Sequence, residues 1–137
     1  MRALSICQPF AELILRGIKT VEYRSRPTRI IGERFLIYAS KRAAKRPGDA
    51  ASAGAWSKDL AMPGAGELPA WMIELAEQIK LIPPEIVLPT GVIVGSAVIE
   101  RVSQMDGMYR WHLGDVERAK NLRKPAGHPQ PVWFDPM

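Results

Sequence analysis

The sequence contains one cysteine, Cys7, and two histidines among its 137 residues. A single cysteine excludes an internal disulfide framework, and so few cysteine and histidine ligands argue against a zinc site built from protein side chains alone. We therefore expect a reduced, cytoplasmic protein that binds no metal and uses no cofactor.

Long hydrophobic runs are also missing. No apolar stretch approaches the roughly 20 residues that a membrane-spanning helix needs, and the first residues lack the pattern of a secretory signal peptide. We expect no membrane partner. The length suits a single domain, residues 1–137, with a hydrophobic core of its own.

Acidic residues are scarce in the first third of the chain. Residues 1–46 hold eleven Lys/Arg against three acids, a local charge of +8, whereas the whole chain carries +5. This asymmetry favours an anionic partner that approaches the N-terminal third, and nucleic acid is the commonest such partner. The alternative is that these basic residues only keep the surface soluble.

Apolar periodicity and residue propensity predict short strands with minor helices. Strands are predicted over 2–7, 19–24, 34–40, 91–102, 109–113 and 131–134. Helices are predicted over 9–16 and 70–81, with one or two further turns over 115–122. Gly17 can end the first helix in the left-handed conformation, and Gly95 indicates a bulge or a close approach within its strand. The pattern is typical of a small mixed β-barrel with a partly helical insertion at about 41–90.

The stretch from Gly17 to Arg24 concentrates charge where the helix pattern turns into a strand pattern. Glu22 and Arg24 are two residues apart and share a strand face, whereas Lys19 points the other way on an ideal strand. Lys19 joins them only if it precedes the strand or if the backbone bends.

These three residue types could recognise a nucleotide or perform chemistry. An ionised Glu22 could accept hydrogen bonds from an exocyclic amine or act as a general base. Lys19 and Arg24 could hold a phosphate or a developing oxyanion. Backbone N–H groups at the start of helix 9–16 would add a positive end. The alternative is an internal salt-bridge network that ties the helix to the sheet.

Other candidates for ligand binding lie at strand ends or in aromatic segments. Ser5 and Ser40 could face the cleft, and Lys41, with Arg42, Lys45 and Arg46, could follow a nucleic-acid backbone. Trp111 and His112 could stack on a base or line the cleft. A core position is the alternative for Trp111.

Three blocks of the chain resemble the ASCH domain, a branch of the PUA-like superfamily. They are Leu4-Ser5-Ile6-Cys7-Gln8-Pro9-Phe10-Ala11, the signature Gly17-x-Lys19-x-x-Glu22-x-Arg24, and Pro89-Thr90-Gly91-Val92-Ile93-Val94-Gly95 with Trp111-His112-Leu113 downstream. The resemblance implies an α+β, PUA-like barrel whose cleft is lined by the signature. It implies a site role for Lys19, and it adds Gln8 to the ligand-binding candidates.

The resemblance leaves three functions open. The first is a module that binds RNA, another single-stranded nucleic acid or a nucleoside-like small molecule. The second is a metal-independent hydrolase, either a ribonuclease or an amidohydrolase of a modified nucleoside such as acetylated cytidine, with Lys19 and Glu22 as catalytic residues. In the deacetylase members a threonine stands where Glu22 stands here. The third is a coactivator-type interaction domain that offers Trp56 and Trp71 to a protein partner. The oligomeric state stays open.

Overall fold

A computed structural model describes residues 1–41, 70–105 and 107–137. This part of the chain forms six strands and two helices, which confirms the α+β class. The strands are β1 (Ala3–Ile6), β2 (Val21–Arg24), β3 (Arg34–Ala39), β4 (Val92–Met105), β5 (Met108–Arg123) and β6 (Trp133–Phe134). The helices are α1 (Phe10–Leu15) and α2 (Ala70–Ile79).

All six strands form one mixed sheet in the order β2-β5-β4-β3-β1-β6. β1 runs parallel to β3, and the other neighbours are antiparallel. The predicted closed barrel is wrong, because β2 and β6 are the two outer strands and no ladder within the described residues joins them. β6 is only two residues long and pairs with Ala3 and Leu4, and just beyond this ladder the N–H of Ser5 donates to the carbonyl of Val132 at 3.0 Å.

The long β4–β5 hairpin is bent by irregularities in its register, one of which falls between Ile93 and Gly95. A Cβ at Gly95 would lie 2.5 Å from Cδ2 of Leu15 and closer still to the carbonyl oxygen of Glu117. This confirms the prediction, made from the presence of Gly95, that another part of the chain approaches the strand closely there. It also explains how α1 can pack directly on the hairpin.

β5 is much longer than the sequence predicted. Residues 115–122, expected to form helical turns, instead continue the strand to Arg123. That segment contains good helix formers, yet its backbone pairs with β4 at Ser96 and Gly95, and tertiary pairing overrides the local propensity.

The main core lies between the sheet and α1. Its buried members include Leu4, Ile14, Phe35, Ile37, Ile99 and Trp111. α2 covers the opposite face of β2, where Trp71, Met72 and Leu75 pack against Val21, Tyr23 and Met108. Trp71 is therefore buried and does not present a surface to a partner.

α2 is the helix in the described part of the predicted insertion, whose residues 41 and 70–90 the structure describes. Residues 42–69, including Arg42, Lys45, Arg46 and Trp56, lie outside the described residues. Neither described helix is long and apolar enough to cross a membrane.

Candidate functional site

Lys19 reaches the other two signature residues because it precedes β2. Gly17 adopts a φ of +77°, and the carbonyl of Leu13 accepts hydrogen bonds from the N–H groups of Ile18 and Lys19. This turn directs the lysine side chain inward, where Nζ donates to the carbonyl of Val21 and lies 3.2 Å from Oε1 of Glu22. Lys19 therefore joins Glu22 and Arg24 because it precedes the strand, which begins only at Val21.

Glu22 and Arg24 form an ion pair along the inner face of β2, in which two guanidinium nitrogens donate to one carboxylate oxygen. Nε and Nη2 of Arg24 donate to Oε2 of Glu22 at 3.2 and 2.7 Å. Nη2 also donates to the backbone carbonyl of Ser5 at 2.9 Å. Arg24 thus spans from β2 to β1, at the outer edge of β1 just beyond its ladder with β6. The Arg24 side chain links two strands that no backbone ladder joins within the described residues.

Aromatic rings surround the three charges. Nζ of Lys19 lies 5.6 Å from the ring centre of Phe10 and 5.3 Å from that of Tyr23. The guanidinium of Arg24 lies 5.6 Å from the ring centre of Trp111. These are distances at which a cation is attracted to the face of an aromatic ring.

Trp111 is itself held in place from two sides. Its Nε1 donates to the carbonyl of Arg26 at 3.0 Å, and its ring stacks on Trp133 with 5.9 Å between centres and 9° between planes. The site that Lys19, Glu22, Arg24, Trp111 and Trp133 form is called here the β1–β2 cluster.

Burial and charge oppose each other in this cluster. Burial lowers the pKa of Lys19, and the attraction of Glu22 offsets this in part. Burial alone would raise the pKa of Glu22, but Arg24 and Lys19 together hold it below the ordinary carboxyl value. Glu22 is therefore ionised at neutral pH, and the carboxylate fixes the positions of both cations.

Arg24 is the member of the charged trio that meets solvent. Lys19 is 2% exposed, whereas the Arg24 side chain is 20% exposed. Its hydrogen bonds within the described residues use Nε and Nη2. The arrangement can present an oriented guanidinium beside an aromatic face to a phosphate, a carbonyl or a base.

Two predicted residues, Ser5 and Gln8, are occupied by structural contacts. The Ser5 hydroxyl donates to the carbonyl of Gln130. Oε1 of Gln8 accepts from the N–H of Glu12 at 3.0 Å, and its Nε2 donates to the carbonyl of Pro89 at 3.0 Å. Ser5 still contributes its backbone carbonyl, which accepts from Arg24.

The first turn of α1 does not provide the free N–H groups that the sequence suggested. The N–H of Ala11 donates to the carbonyl of Cys7 at 3.2 Å, and that of Glu12 is taken by Gln8. The helix has only six residues. The positive end of the site comes from Arg24 and Lys19 instead.

His112 and Trp111 point to opposite faces of β5. Trp111 pairs with Glu22 on the inner side, whereas His112 pairs with Val21 on the side that α2 covers. The Nε2 of His112 shares a 2.7 Å hydrogen bond with the Ser103 hydroxyl. Burial, Arg101 and Arg110 lower its pKa. The structure does not bring His112 into the β1–β2 cluster.

Ser40 and Lys41 lie beyond the end of β3, away from Glu22. The Ser40 hydroxyl is 3.6 Å from Sγ of Cys7, and Lys41 is exposed beside Gly91. They are separated from the β1–β2 cluster by strand β1. Lys41 instead lines a separate groove together with Thr90, Gly91 and Lys124.

Sequence reasoning missed Trp133 as a neighbour of the site. The only signal was a tryptophan in a segment predicted to be a closing strand. It also missed Glu12, which is 7% exposed and pairs with Arg16 at 2.7 Å and with Arg118 at 2.9 Å. No group of three or more potential metal ligands occurs among residues 1–41, 70–105 and 107–137.

The mixed sheet, the short α1 and the charged cluster at the start of β2 define an α+β domain with a signature site. A family model for the ASCH domain matches residues 4–123. The chain belongs to the ASCH domain family, as its three sequence blocks predicted. A comparison with curated proteins gave no match.

Proposed function

We propose that this ASCH domain binds RNA or a nucleotide-like ligand at the β1–β2 cluster. The observation that carries the proposal is the fixed position of Arg24. Its guanidinium is held by Glu22 and by the Ser5 carbonyl, lies against Trp111, and is partly open to solvent. A cation that is ordered before binding loses little entropy when it meets a phosphate or a base.

The surroundings of Arg24 support a nucleotide rather than a simple anion. Arg26 and Arg29 follow it in an exposed loop, and they add positive charge next to the cluster. Trp133 is partly exposed and supplies aromatic surface, with the buried Trp111 stacked behind it, and aromatic stacking is the usual means by which proteins hold unpaired bases.

Replacing Arg24 tests the proposal directly. We expect Arg24→Gln to weaken the binding of a fluorescently labelled single-stranded RNA about tenfold, because it removes a charge-assisted contact. Arg24→Lys keeps the charge but loses the planar guanidinium and its fixed set of donors, so this variant should bind the RNA with intermediate affinity. Fluorescence anisotropy at fixed salt measures both.

The matched control is Lys80→Gln. It removes one positive charge from an exposed position directly after the end of α2. Circular dichroism checks that each variant is folded. Equal RNA affinity of Arg24→Gln and the wild type would contradict the proposal. So would an equal loss in Lys80→Gln, because only net charge would then matter.

Hydrolysis of a modified nucleoside is a second candidate. The observation in its favour is the burial of Lys19. Burial lowers the pKa of this lysine, and its Nζ lies 3.2 Å from Oε1 of Glu22. Both oxygens of Glu22 are already paired with cations, so the carboxylate is a weak base in this arrangement. Release of acetate from acetylated cytidine by the wild type, and its loss in Glu22→Gln, would identify this activity.

A further inference from the structure

A second basic feature lies on the other side of β1 from Arg24. A groove of about 360 Å³ is formed by the end of β3, the start of β4 and the segment after β5. Its lining residues are Tyr38, Lys41, Thr90, Gly91, Lys124, Pro125 and Pro129. Two are lysines, two carry hydroxyl groups and none is acidic. The volume falls in the range of small-molecule sites.

Lys41 is positioned by a glycine. Gly91 has a φ of +73°, and a Cβ there would lie 3.1 Å from Cε and 3.3 Å from Cγ of Lys41. The missing side chain leaves room for the lysine stem to cross the backbone of Gly91. The N–H of Gly91 donates to the carbonyl of Ala39 at 2.6 Å, which fixes this turn against β3.

Lys124 enters the groove from the opposite wall. It follows the last residue of β5 and lies just beyond the part of the chain that the ASCH family model matches. The wall behind it is anchored, because the N–H groups of Ala126 and Gly127 donate to the carbonyl of Pro136 at 2.8 and 3.0 Å. Pro125 and Pro129 further restrict this segment.

We propose that this groove binds a phosphate group between the ammonium groups of Lys41 and Lys124. The hydroxyls of Thr90 and Tyr38 are available as further donors in the same lining. Among the described residues, the lining of the groove offers donors and positive charge and contains no carboxylate that would compete for the lysines. This is the chemistry that an anion of this kind needs.

The phosphate can come from a free nucleotide or from an RNA backbone, and the RNA source rests on the proposed function. Tyr38 is the register partner of Ser5, the residue whose carbonyl Arg24 holds. The Tyr38 side chain packs with Ala3 and Phe134, whereas Trp111 lies in the main core, so the groove and the β1–β2 cluster are two separate sites.

The probes are inorganic phosphate, uridine, uridine monophosphate and a short single-stranded RNA, each titrated into the full chain and followed by NMR. We expect phosphate and uridine monophosphate, but not uridine, to shift the amide signals of Thr90 and Gly91. Lys41→Gln and Lys124→Gln should each weaken this binding about tenfold, while the control Lys80→Gln should leave it unchanged.

The two proposals fail separately. Phosphate binding that is weakened about tenfold in each lysine variant supports the groove even if no RNA binds. Tighter binding of the oligonucleotide than of uridine monophosphate, lost in the same variants, identifies RNA as the source, whereas the reverse order identifies a free nucleotide. If neither phosphate compound shifts Thr90 and Gly91, or if Lys80→Gln weakens binding equally, the groove proposal is overturned. RNA binding that depends on Arg24 alone would then leave the proposed function standing.

Discussion

At the scale of single residues, Glu22 organises the site. Its carboxylate balances a lysine that is almost wholly removed from water, and it orients the arginine that meets solvent. Such a buried arrangement is stable only while all partners are present, because an unpaired buried charge is costly. Glu22 is therefore a residue whose loss affects folding as well as binding.

We predict that Glu22→Gln lowers the free energy of unfolding at pH 7 by about 3 kcal/mol, since it leaves Lys19 buried without its counter-charge. The pKa of Glu22 is lower in the folded protein than its ordinary value of 4.5. Its stabilising contribution is therefore complete above about pH 4.5 and is lost as pH falls through the lower, folded pKa. Urea unfolding at pH 7 and at pH 3 measures this.

The exposed Glu85→Gln is the matched control, with no expected change at either pH. Equal stability of Glu22→Gln and the wild type at pH 7 would contradict the account. So would a difference between them that does not narrow at pH 3.

The pairing of Glu22 with Arg24 could be predicted from the sequence, because two residues separated by one share a strand face. The contact between Arg24 and Ser5 could not, since it depends on how the fold places β2 beside the outer edge of β1, two strands far apart in the order of the sheet. The position of Lys19 depended on where β2 begins, which propensity locates only to within a few residues.

At the scale of elements, the contact between α1 and the β4–β5 hairpin holds the site together. α1 carries Phe10 at its start and leads through Gly17 to Lys19, so its distance from the sheet sets the depth of the lysine. That distance depends on Gly95, where Leu15 and the backbone of Glu117 fill the space of a side chain.

We predict that Gly95→Ala destabilises the fold by about 1–3 kcal/mol, because the new methyl group must displace a backbone carbonyl and a core leucine. Gly114→Ala on the same hairpin is the matched control. The three atoms nearest to a Cβ there all belong to the side chain of the exposed Glu100, which can swing away. Urea unfolding compares the two. A loss in Gly114→Ala as large as that in Gly95→Ala would show that the close approach is not the cause.

Element prediction succeeded where periodicity and packing agreed, as in α1, β3 and β4. It failed for the second half of β5, where Glu117, Arg118 and Lys120 favour a helix locally. Long-range pairing with β4 decides the conformation there, and nothing within the segment signals it. The closed barrel failed for a related reason, since the length of β6 determines whether the edges can meet.

At the scale of the whole molecule, the basic N-terminal third is partly neutralised within the fold. Arg16, Lys19, Arg24 and Arg34 all pair with carboxylates. Within the described residues the exposed basic side chains without an ion pair in this third are Arg2, Arg26, Arg29 and Lys41. The local charge of +8 therefore overstates what a partner meets, and the position of the cations matters more than their number.

The most direct test of the account is to observe the β1–β2 cluster during RNA binding. The indole N–H of Trp111 donates to Arg26 beside Arg24, and it gives an NMR signal that Trp111→Phe assigns. We predict that single-stranded RNA shifts this signal and the amide signals of Ser5 and Arg24 in the wild type. Arg24→Gln should need about tenfold more RNA to reach the same shifts of the Trp111 and Ser5 signals. RNA binding that leaves the Trp111 indole signal unmoved would contradict the proposed site.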